Sequence, residues 1–344
     1  MDERWPRLTE RLPGTGGELK RTPEDFVVEE LPAFPPTGAG GHLWLWVEKR
    51  GTDTAQVVQA LARAAGVAPA EVGYAGLKDR QAVTRQAFTV PLPAAALGEL
   101  GLQGVRILAR ERTERRLRTG QLLGNAFRVR VRSAANPEAA PEVLAALEAR
   151  GMPNYFGEQR FGRSGDNAAR GRALLLGERL RERVDRLERR LFLSAYQSLL
   201  FNRALAERLS DGLYARALAG DVLRRADSGG LFLCQDPEVD QPRVDRLEVS
   251  PTGPVFGWKV RPVPTGAVAE REARLLAAEG LTVAMLRAGK GETQGARRAY
   301  AVRVGDVELR REGEDLLLAF TLPRGSYATV LLDELMKSEA GTAP

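Results

Sequence analysis

Residues 73–86 read GYAGLKDRQAVTRQ and place one carboxylate, Asp79, between Lys78 and Arg80 in a glycine-containing loop. An aspartate has an unperturbed pKa of about 3.9, and cations within a few ångströms lower the pKa further. At neutral pH we therefore expect Asp79 to be ionised and able to attack an electrophilic carbon. A solvated surface acid or a helix cap is the alternative interpretation of the same local pattern.

The composition is that of a globular protein with a surplus of arginine. The chain has 344 residues, is 43% hydrophobic and 28% charged, and carries a net charge of +6. Its length favours two domains. Only six of its 51 basic residues are lysines. Guanidinium groups make forked contacts with phosphate and stack on bases, so the balance favours a nucleic-acid partner, although genome base composition can produce the same arginine usage.

Several functional classes are disfavoured by what the sequence contains. The single cysteine, Cys234, excludes an internal disulfide and suits a reducing cytosol. Because His42 is the only histidine, a Ser-His-Asp triad and a histidine-based metal site are both improbable. The N-terminus carries acidic and basic residues with no apolar run, and no long apolar stretch follows. We therefore expect a soluble cytoplasmic protein, by default a monomer, that has no metal, no membrane contact and no obligate protein partner.

Hydrophobic periodicity predicts strands on both sides of the Asp79 loop. In NAFRVRVR, at residues 125–132, the apolar side chains alternate with arginines, which places Phe127 on the apolar face of a strand. Apolar positions at helical spacing predict a helix over residues 54–65 that Gly66 ends. The predicted strands of this region cover residues 26–29, 42–49, 85–92 and 125–132, and a second helix covers 141–150.

The pattern changes after Pro153. From there to about residue 220 it is mostly helical, with an apolar stripe at residues 194–209, and a proline- and glycine-rich portion at 250–266 precedes a helix at about 268–279. Short strands return near residues 300–304 and 315–322. These changes predict that the first domain resumes late in the chain and that the second domain is an insertion.

The Asp79 loop resembles the signature of the TruD family of tRNA pseudouridine synthases, GxAGxKDxxAxTxQ, and meets it at every fixed position. Other segments resemble that family in the same order along nearly the whole chain. They are PEDFVVEE at 23–30, GNAF at 124–127, PNYFGEQRFGR at 153–163, LSAYQSLLFN at 193–202 and PRGSYAT at 323–329.

The resemblance implies an α+β fold. Its catalytic domain would be a mixed, mainly antiparallel sheet with flanking helices, in a circularly permuted order, and a family-specific α/β domain would be inserted into it. Carried over to this sequence, the catalytic domain covers residues 1–153 and 301–344, and the inserted domain covers 154–300.

The resemblance also implies roles for individual residues. Asp79 matches the nucleophile, and Lys20 matches the active-site cation that keeps the carboxylate ionised and oriented. Taken singly, Phe26 and Phe127 could be ordinary core residues, Asn125 could be a turn former and Lys20 could be a surface charge. The residues that match base or nucleotide contacts are Phe26, Asn125, Phe127 and Tyr327, the last standing where the family commonly has phenylalanine.

The activity that the resemblance implies is conversion of uridine-13 of certain tRNAs to pseudouridine without a cofactor. Attack on the ribose, addition to the base and abstraction of a ribose proton all remain open as the role of Asp79. Two other functions also remain open. One is a noncatalytic RNA-binding protein, and the other is a glycoside-type hydrolase that would use a second acid such as Glu29, Glu30 or Glu71.

Unstacking the target uridine costs on the order of a few kcal/mol, which cationic contacts to the RNA backbone can offset. The cation-rich stretch at 106–118 either faces RNA or forms a solvated charged strand or helix. The candidate RNA contacts are Lys78, Arg80, Arg115, Arg116, Arg118, Arg160 and Arg163.

Overall fold

In the computed structural model, the described residues are 4–92, 97, 100–162, 164–180, 183–288 and 292–337. The chain divides into two compact units. The Asp79 unit comprises Gly14–Pro141, Val304–Gly325 and Met336–Pro344, and the second unit comprises Met1–Pro13, Glu142–Arg303 and Ser326–Leu335. Relative to the predicted boundaries, the second unit also includes the segments 1–13, 142–153, 301–303 and 326–335. The assignment of 154–300 as an inserted domain stays a prediction.

The described residues form strands and α-helices in the following order. The strands are β1 (Phe26–Pro32), β2 (His42–Arg50), β3 (Gly73–Tyr74), β4 (Val83–Pro91), β5 (Val105–Thr113), β6 (Leu122–Val131), β7 (Met152–Pro153), β8 (Val222–Arg225), β9 (Leu231–Leu233), β10 (Val249–Val255), β11 (Ala296–Ala299), β12 (Ala301–Val302), β13 (Gly305–Glu312) and β14 (Asp315–Pro323). The helices are α1 (Thr54–Ala65), α2 (Ala140–Arg150), α3 (Asn167–Leu175), α4 (Arg186–Ser210), α5 (Pro237–Asp245), α6 (Gly266–Ala278), α7 (Val283–Ala288) and α8 (Ala328–Met336).

The Asp79 unit is built on one sheet with the strand order β13-β14-β6-β1-β4-β2-β5, and β3 pairs with β4. The β1–β4 pair is parallel, whereas the other pairs of this sheet are antiparallel. The predicted mixed, mainly antiparallel sheet is therefore confirmed. The predicted faces of β6 are also confirmed, because Phe127 and Val129 are buried while Arg128 is exposed.

Helix α1 covers one part of this sheet. Its side chains Val57 and Leu61 are fully buried, and they belong to one apolar cluster with Leu45 of β2 and Phe88 of β4. The helix ends where predicted, at Gly66, which adopts the left-handed φ of 70° that glycine tolerates best. Helix α1 and the two strands thereby form a rigid base beside the Asp79 loop.

The second unit contains a four-stranded sheet with the order β11-β10-β8-β9, together with the long, largely buried helix α4. Residues 250–266, described from the sequence only as a proline- and glycine-rich portion, contain most of strand β10, which was not predicted. Pro251 and Pro254 disguise this strand, since proline removes a ladder donor. Strand β8 pairs with residues 249–251 of β10, and β11 pairs with residues 252–255. Each residue of β10 is therefore paired with a strand on one side, and proline is tolerated where its missing N–H would point to the other side.

Replacing Leu45 by alanine should destabilise the protein by about 2–5 kcal/mol, because this fully buried side chain would leave a cavity between β2 and α1. Urea unfolding followed by circular dichroism measures the change. The matched control is Leu108→Ala, at a leucine that is 45% exposed, which should cost less than about 0.5 kcal/mol. Equal losses for the two variants would contradict this account of the core.

Candidate active site

The Asp79 loop joins β3 to β4 and is fixed by two polar side chains. The Gln86 amide donates to the Gly76 carbonyl at 3.0 Å. The hydroxyl of Thr54, the first residue of α1, accepts the backbone N–H of Lys78 at 3.1 Å and lies 3.3 Å from the Gln86 carbonyl oxygen. Helix α1 and strand β4 therefore hold the backbone on both sides of the loop, which gives the glutamine of the signature a physical role.

Gly73, at the start of the same signature, permits a close backbone approach. A Cβ atom at this position would lie 2.5 Å from the Leu117 carbonyl oxygen and would also collide with the Thr89 hydroxyl. Real Cβ contacts are never that short, so only glycine lets β3 lie against these neighbours.

The Asp79 carboxylate is held by two donors. The Lys20 ammonium lies 2.5 Å from Oδ2, and the Gln81 backbone N–H donates to Oδ1 at 3.1 Å. Burial alone would raise the pKa of Asp79, but the Lys20 ammonium, the Gln81 N–H and the charge of Lys49 outweigh it and hold the pKa below its usual range. The carboxylate is therefore ionised at neutral pH, as the sequence predicts.

Lys20 reaches Asp79 from a strained backbone. Its φ of 54° lies in the left-handed region, which costs an ordinary residue roughly 1–2 kcal/mol. Its ammonium also lies 4.7 Å from the centre of the Phe26 ring. The strained conformation thus places one cation against both the carboxylate and an aromatic face, and strain of this kind concentrates at functional sites.

Three phenylalanines lie together on the sheet beside this ion pair. The rings of Phe26 on β1 and Phe127 on β6 meet edge to face at 6.2 Å, and Phe127 stacks on Phe320 of β14 at 5.1 Å. The three side chains are buried. Sequence reasoning missed Phe320, although its register partner on β6 is Phe127. The structure brings the two predicted aromatics together as an apolar wall.

Asn125 offers an unused polar atom on the same face. It lies opposite Glu30 of β1, two residues before Phe127 on β6. Its buried Oδ1 atom has no hydrogen-bond partner among the residues that the structure describes, and the same holds for the buried hydroxyl of Thr84 on β4. An unsatisfied buried polar group costs about 1–3 kcal/mol, so the Oδ1 atom is suited to accept a hydrogen bond from a bound ligand.

The Lys78 side chain turns inward, which differs from the expected contact with RNA. Its ammonium lies 2.8 Å from Glu30 Oε2, and the two side chains are only 5% and 1% exposed. The other carboxylate oxygen of Glu30 accepts the Ala87 N–H at 3.3 Å. Because Glu30 is anchored on β1 and β4, the pair ties the residue before Asp79 to the sheet. Lys78 thereby positions the loop from within.

The arginines predicted to contact RNA have different settings, and their RNA contacts stay predictions. In the Asp79 unit, the side chain of Arg80 is 58% exposed. In the second unit, Arg160 donates to the hydroxyls of Ser194 and Ser198. Arg115, Arg116 and Arg118 are exposed in the Asp79 unit, and Arg163 lies outside the described residues.

Tyr327 belongs to the second unit, whereas Asp79, Lys20, Phe26, Asn125 and Phe127 belong to the first. Within its unit the Tyr327 ring meets the Phe156 ring at 6.2 Å. Its expected contact with the target base stays a prediction.

The acids considered as hydrolase partners are engaged elsewhere. Glu29 pairs with Arg85 at 3.1 Å, and Glu71 accepts the Ala68 N–H at 2.9 Å. Glu30 is committed to Lys78. None of these contacts places a second acid beside Asp79, which disfavours the two-carboxylate arrangement of a glycoside hydrolase.

Other chemistry finds little support in the described part of the chain. No group of three or more His, Cys, Asp or Glu side chains is arranged there to hold a metal ion. Burial raises the pKa of Cys234 to about 12, so its thiol is protonated at neutral pH and is not a ready nucleophile. Among the described helices, none is both long and apolar enough to cross a membrane.

The sheet and its aspartate loop define a pseudouridine-synthase fold. A crystal structure assigned to TruD, from Methanosarcina mazei, matches with a TM-score of 0.76 over 98% of this chain and 97% of that chain, at 24% identity. The family described as tRNA pseudouridine synthase D (TruD) matches residues 6–187 and 178–335. The chain therefore belongs to the TruD family.

Proteins described as tRNA pseudouridine synthase D are similar over almost the full length. One from Anaeromyxobacter dehalogenans is 52% identical, with 97% of each chain covered. Another from Thermus thermophilus is 44% identical, with 98% of this chain and 94% of the relative covered. The match therefore extends to both units.

Replacing Glu30 by glutamine should destabilise the protein by about 3–5 kcal/mol, because it leaves the Lys78 ammonium buried without its counter-charge. Urea unfolding measures the loss, and the double variant Glu30→Gln/Lys78→Met should recover part of it. The neighbouring Glu29→Gln is the control and should cost less than about 1 kcal/mol, because the Glu29–Arg85 ion pair is partly exposed to solvent, with side chains 41% and 31% exposed. A cost for Glu30→Gln as small as that of the control would contradict the anchoring role.

Proposed function

We propose that this protein isomerises a uridine of tRNA to pseudouridine and that Asp79 is the nucleophile. The observation that carries the proposal is the ionised Asp79 carboxylate, held 2.5 Å from the Lys20 ammonium beside the Phe26 ring. The description of the similar proteins as tRNA pseudouridine synthases supports the reaction and the substrate class.

The reaction requires a charged group that can act on the uridine, either as a nucleophile that adds and later leaves or as a base. The bond between N1 of uracil and C1′ of the ribose breaks, the base turns, and C5 bonds to C1′ while its proton passes to water and N1 gains a proton. No atom is gained or lost overall, so neither a redox agent nor an energy source is required. Attack on the ribose, addition to the base and abstraction of a ribose proton all begin from the ionised form of Asp79.

The detached uracil must be held while it turns. Phe26 and Phe127 would supply an apolar wall for the base. The Oδ1 atom of Asn125, which has no hydrogen-bond partner in the described part of the chain, would accept the N3–H of uracil. Neutral cytosine has no proton at N3, so this acceptor would favour uracil.

We further propose that the target is uridine-13 and that the enzyme acts in the cytoplasm as a monomer. The family resemblance supports the position, and the single cysteine suits a reducing compartment. Arg80, Arg115, Arg116, Arg118, Arg160 and Arg163 would contact the RNA backbone, and Tyr327 would contact the target nucleotide.

Replacing Asp79 by asparagine should lower the rate of pseudouridine formation by at least about a thousandfold, because the amide is not an anionic nucleophile. The measurement uses purified protein with tRNA carrying tritium at uracil C5 and follows release of label to water. Sequencing of the product locates the modified position. Binding of the tRNA should persist, since the substitution keeps the shape of the side chain.

The control is Asp306→Asn, at an exposed residue of the same unit, which should keep full activity. Wild-type protein that binds tRNA without releasing tritium would favour the noncatalytic RNA-binding function. Release of free uracil would favour the hydrolase. An Asp79→Asn variant that forms pseudouridine at the wild-type rate would exclude Asp79 as the nucleophile.

Neutralising Arg115, Arg116 and Arg118 to glutamine should weaken tRNA binding and flatten its salt dependence. The slope of log Kd against log salt should fall by about one unit for each arginine–phosphate ion pair that the substitutions remove. Filter binding at several salt concentrations measures the slope. Arg130→Gln is the control, because Arg130 already pairs with Glu312 and Asp315. An unchanged slope in the triple variant would place the RNA on another surface.

A further inference from the structure

Lysine is scarce in this chain and is concentrated at one place. Six of the 51 basic residues are lysines. Three of the six, Lys20, Lys49 and Lys78, make direct contacts with the Asp79 loop or with its anchor Glu30. Lysine differs from arginine in presenting a compact point charge whose pKa shifts readily on burial. The clustering therefore points to a need for small, tunable cations around Asp79.

Of these three lysines, Lys49 is the one to which the sequence analysis assigned no role. It lies on β2 opposite Thr84 of β4 and is 1% exposed. Its ammonium donates to the backbone carbonyl of Asp79 at 2.6 Å. It therefore contacts the nucleophilic residue from inside the protein, on the peptide group, while Lys20 contacts the carboxylate.

We propose that Lys49 is a positioning residue, whose ammonium fixes the Asp79 peptide and adds a second positive charge near the carboxylate, and whose deprotonation slows the chemical step. The inference rests on the proposed function and deepens it, because it gives that reaction an alkaline limit set within the protein. Lys49 would not touch the RNA, since its side chain is buried.

The electrostatic setting of Lys49 supports a titration near pH 8. Burial lowers the pKa of Lys49 to about 8, the negative charges of Asp79 and Asp53 oppose this shift, and the positive charge of Lys78 adds to it. Below that pH the group is an ammonium, and above it the group is a neutral amine. The charge of Lys49 helps to keep the pKa of Asp79 low, so the carboxylate loses this nearby positive charge as the pH rises.

The test is the single-turnover rate of pseudouridine formation from about pH 6.5 to 8.5 in wild-type protein, Lys49→Met and Lys49→Arg. The wild-type rate should decline at the alkaline end. Lys49→Met should be about 10- to 100-fold slower and should lack the decline, since misplacement of a reacting group costs about that much. Lys49→Arg keeps a cation that does not titrate in this range, so its profile should be flat and its rate higher than that of Lys49→Met.

The matched control is Arg85→Met, which removes a cation from the opposite face of β4, where it pairs with Glu29 and Glu48. It should keep both the rate and the alkaline decline. The KM for tRNA should be unchanged in the Lys49 variants, and their folding is checked by thermal unfolding.

Each result decides one of the two proposals. A wild-type protein that forms no pseudouridine overturns the proposed function. A Lys49→Met variant that is as fast as an active wild-type protein overturns the positioning role of Lys49 alone, and a wild-type rate constant that stays flat up to about pH 8.5 overturns the alkaline limit. A slowed Lys49→Met that retains the alkaline decline also overturns it, because the titrating group would then lie elsewhere.

Discussion

The rest of the site depends on keeping one partly buried carboxylate, that of Asp79, charged. Removing Asp79 from water favours its neutral form, and the structure opposes this with the Lys20 ammonium, a backbone N–H and the more distant charge of Lys49. The N–H donor, Gln81, lies two residues from Asp79, whereas Lys20 and Lys49 come from other parts of the chain, so the fold is needed to bring these two cations to the carboxylate. The left-handed backbone of Lys20 shows that the fold accepts local strain to provide the first of these donors.

A second ion pair, between Glu30 and Lys78, has a different role from the Lys20–Asp79 pair. Glu30 and Lys78 neutralise each other in the interior, and such pairs add little net stability compared with an apolar core. The pair instead fixes the position of the Asp79 loop, because Glu30 lies on β1 and also accepts the Ala87 N–H of β4. The signature lysine beside Asp79 thus holds the loop to the sheet.

Local patterns predicted local structure well. The apolar spacing of α1, its terminal Gly66 and the alternation of β6 all appear as the sequence indicates. Strand β10 escaped prediction because its prolines oppose a strand, and only its one-sided pairing with each neighbour explains them. In the site, Asp79 and Lys20 followed from a motif and a resemblance. Lys49, Glu30 and Phe320 did not, because their roles depend on strand register and burial, which no short window of sequence contains.

The strand order of the Asp79 unit also constrains when the site can exist. Strand β6 lies between β1 and β14, which are far apart in the chain, and Phe320 of β14 stacks on Phe127. On the ribosome, β1 to β6 emerge long before β14, because residues 142–303 of the second unit are synthesised in between. A nascent chain therefore exposes the edge of β6 and an incomplete aromatic wall until β14 has been synthesised, so the site can form only after residues 142–303 have been translated.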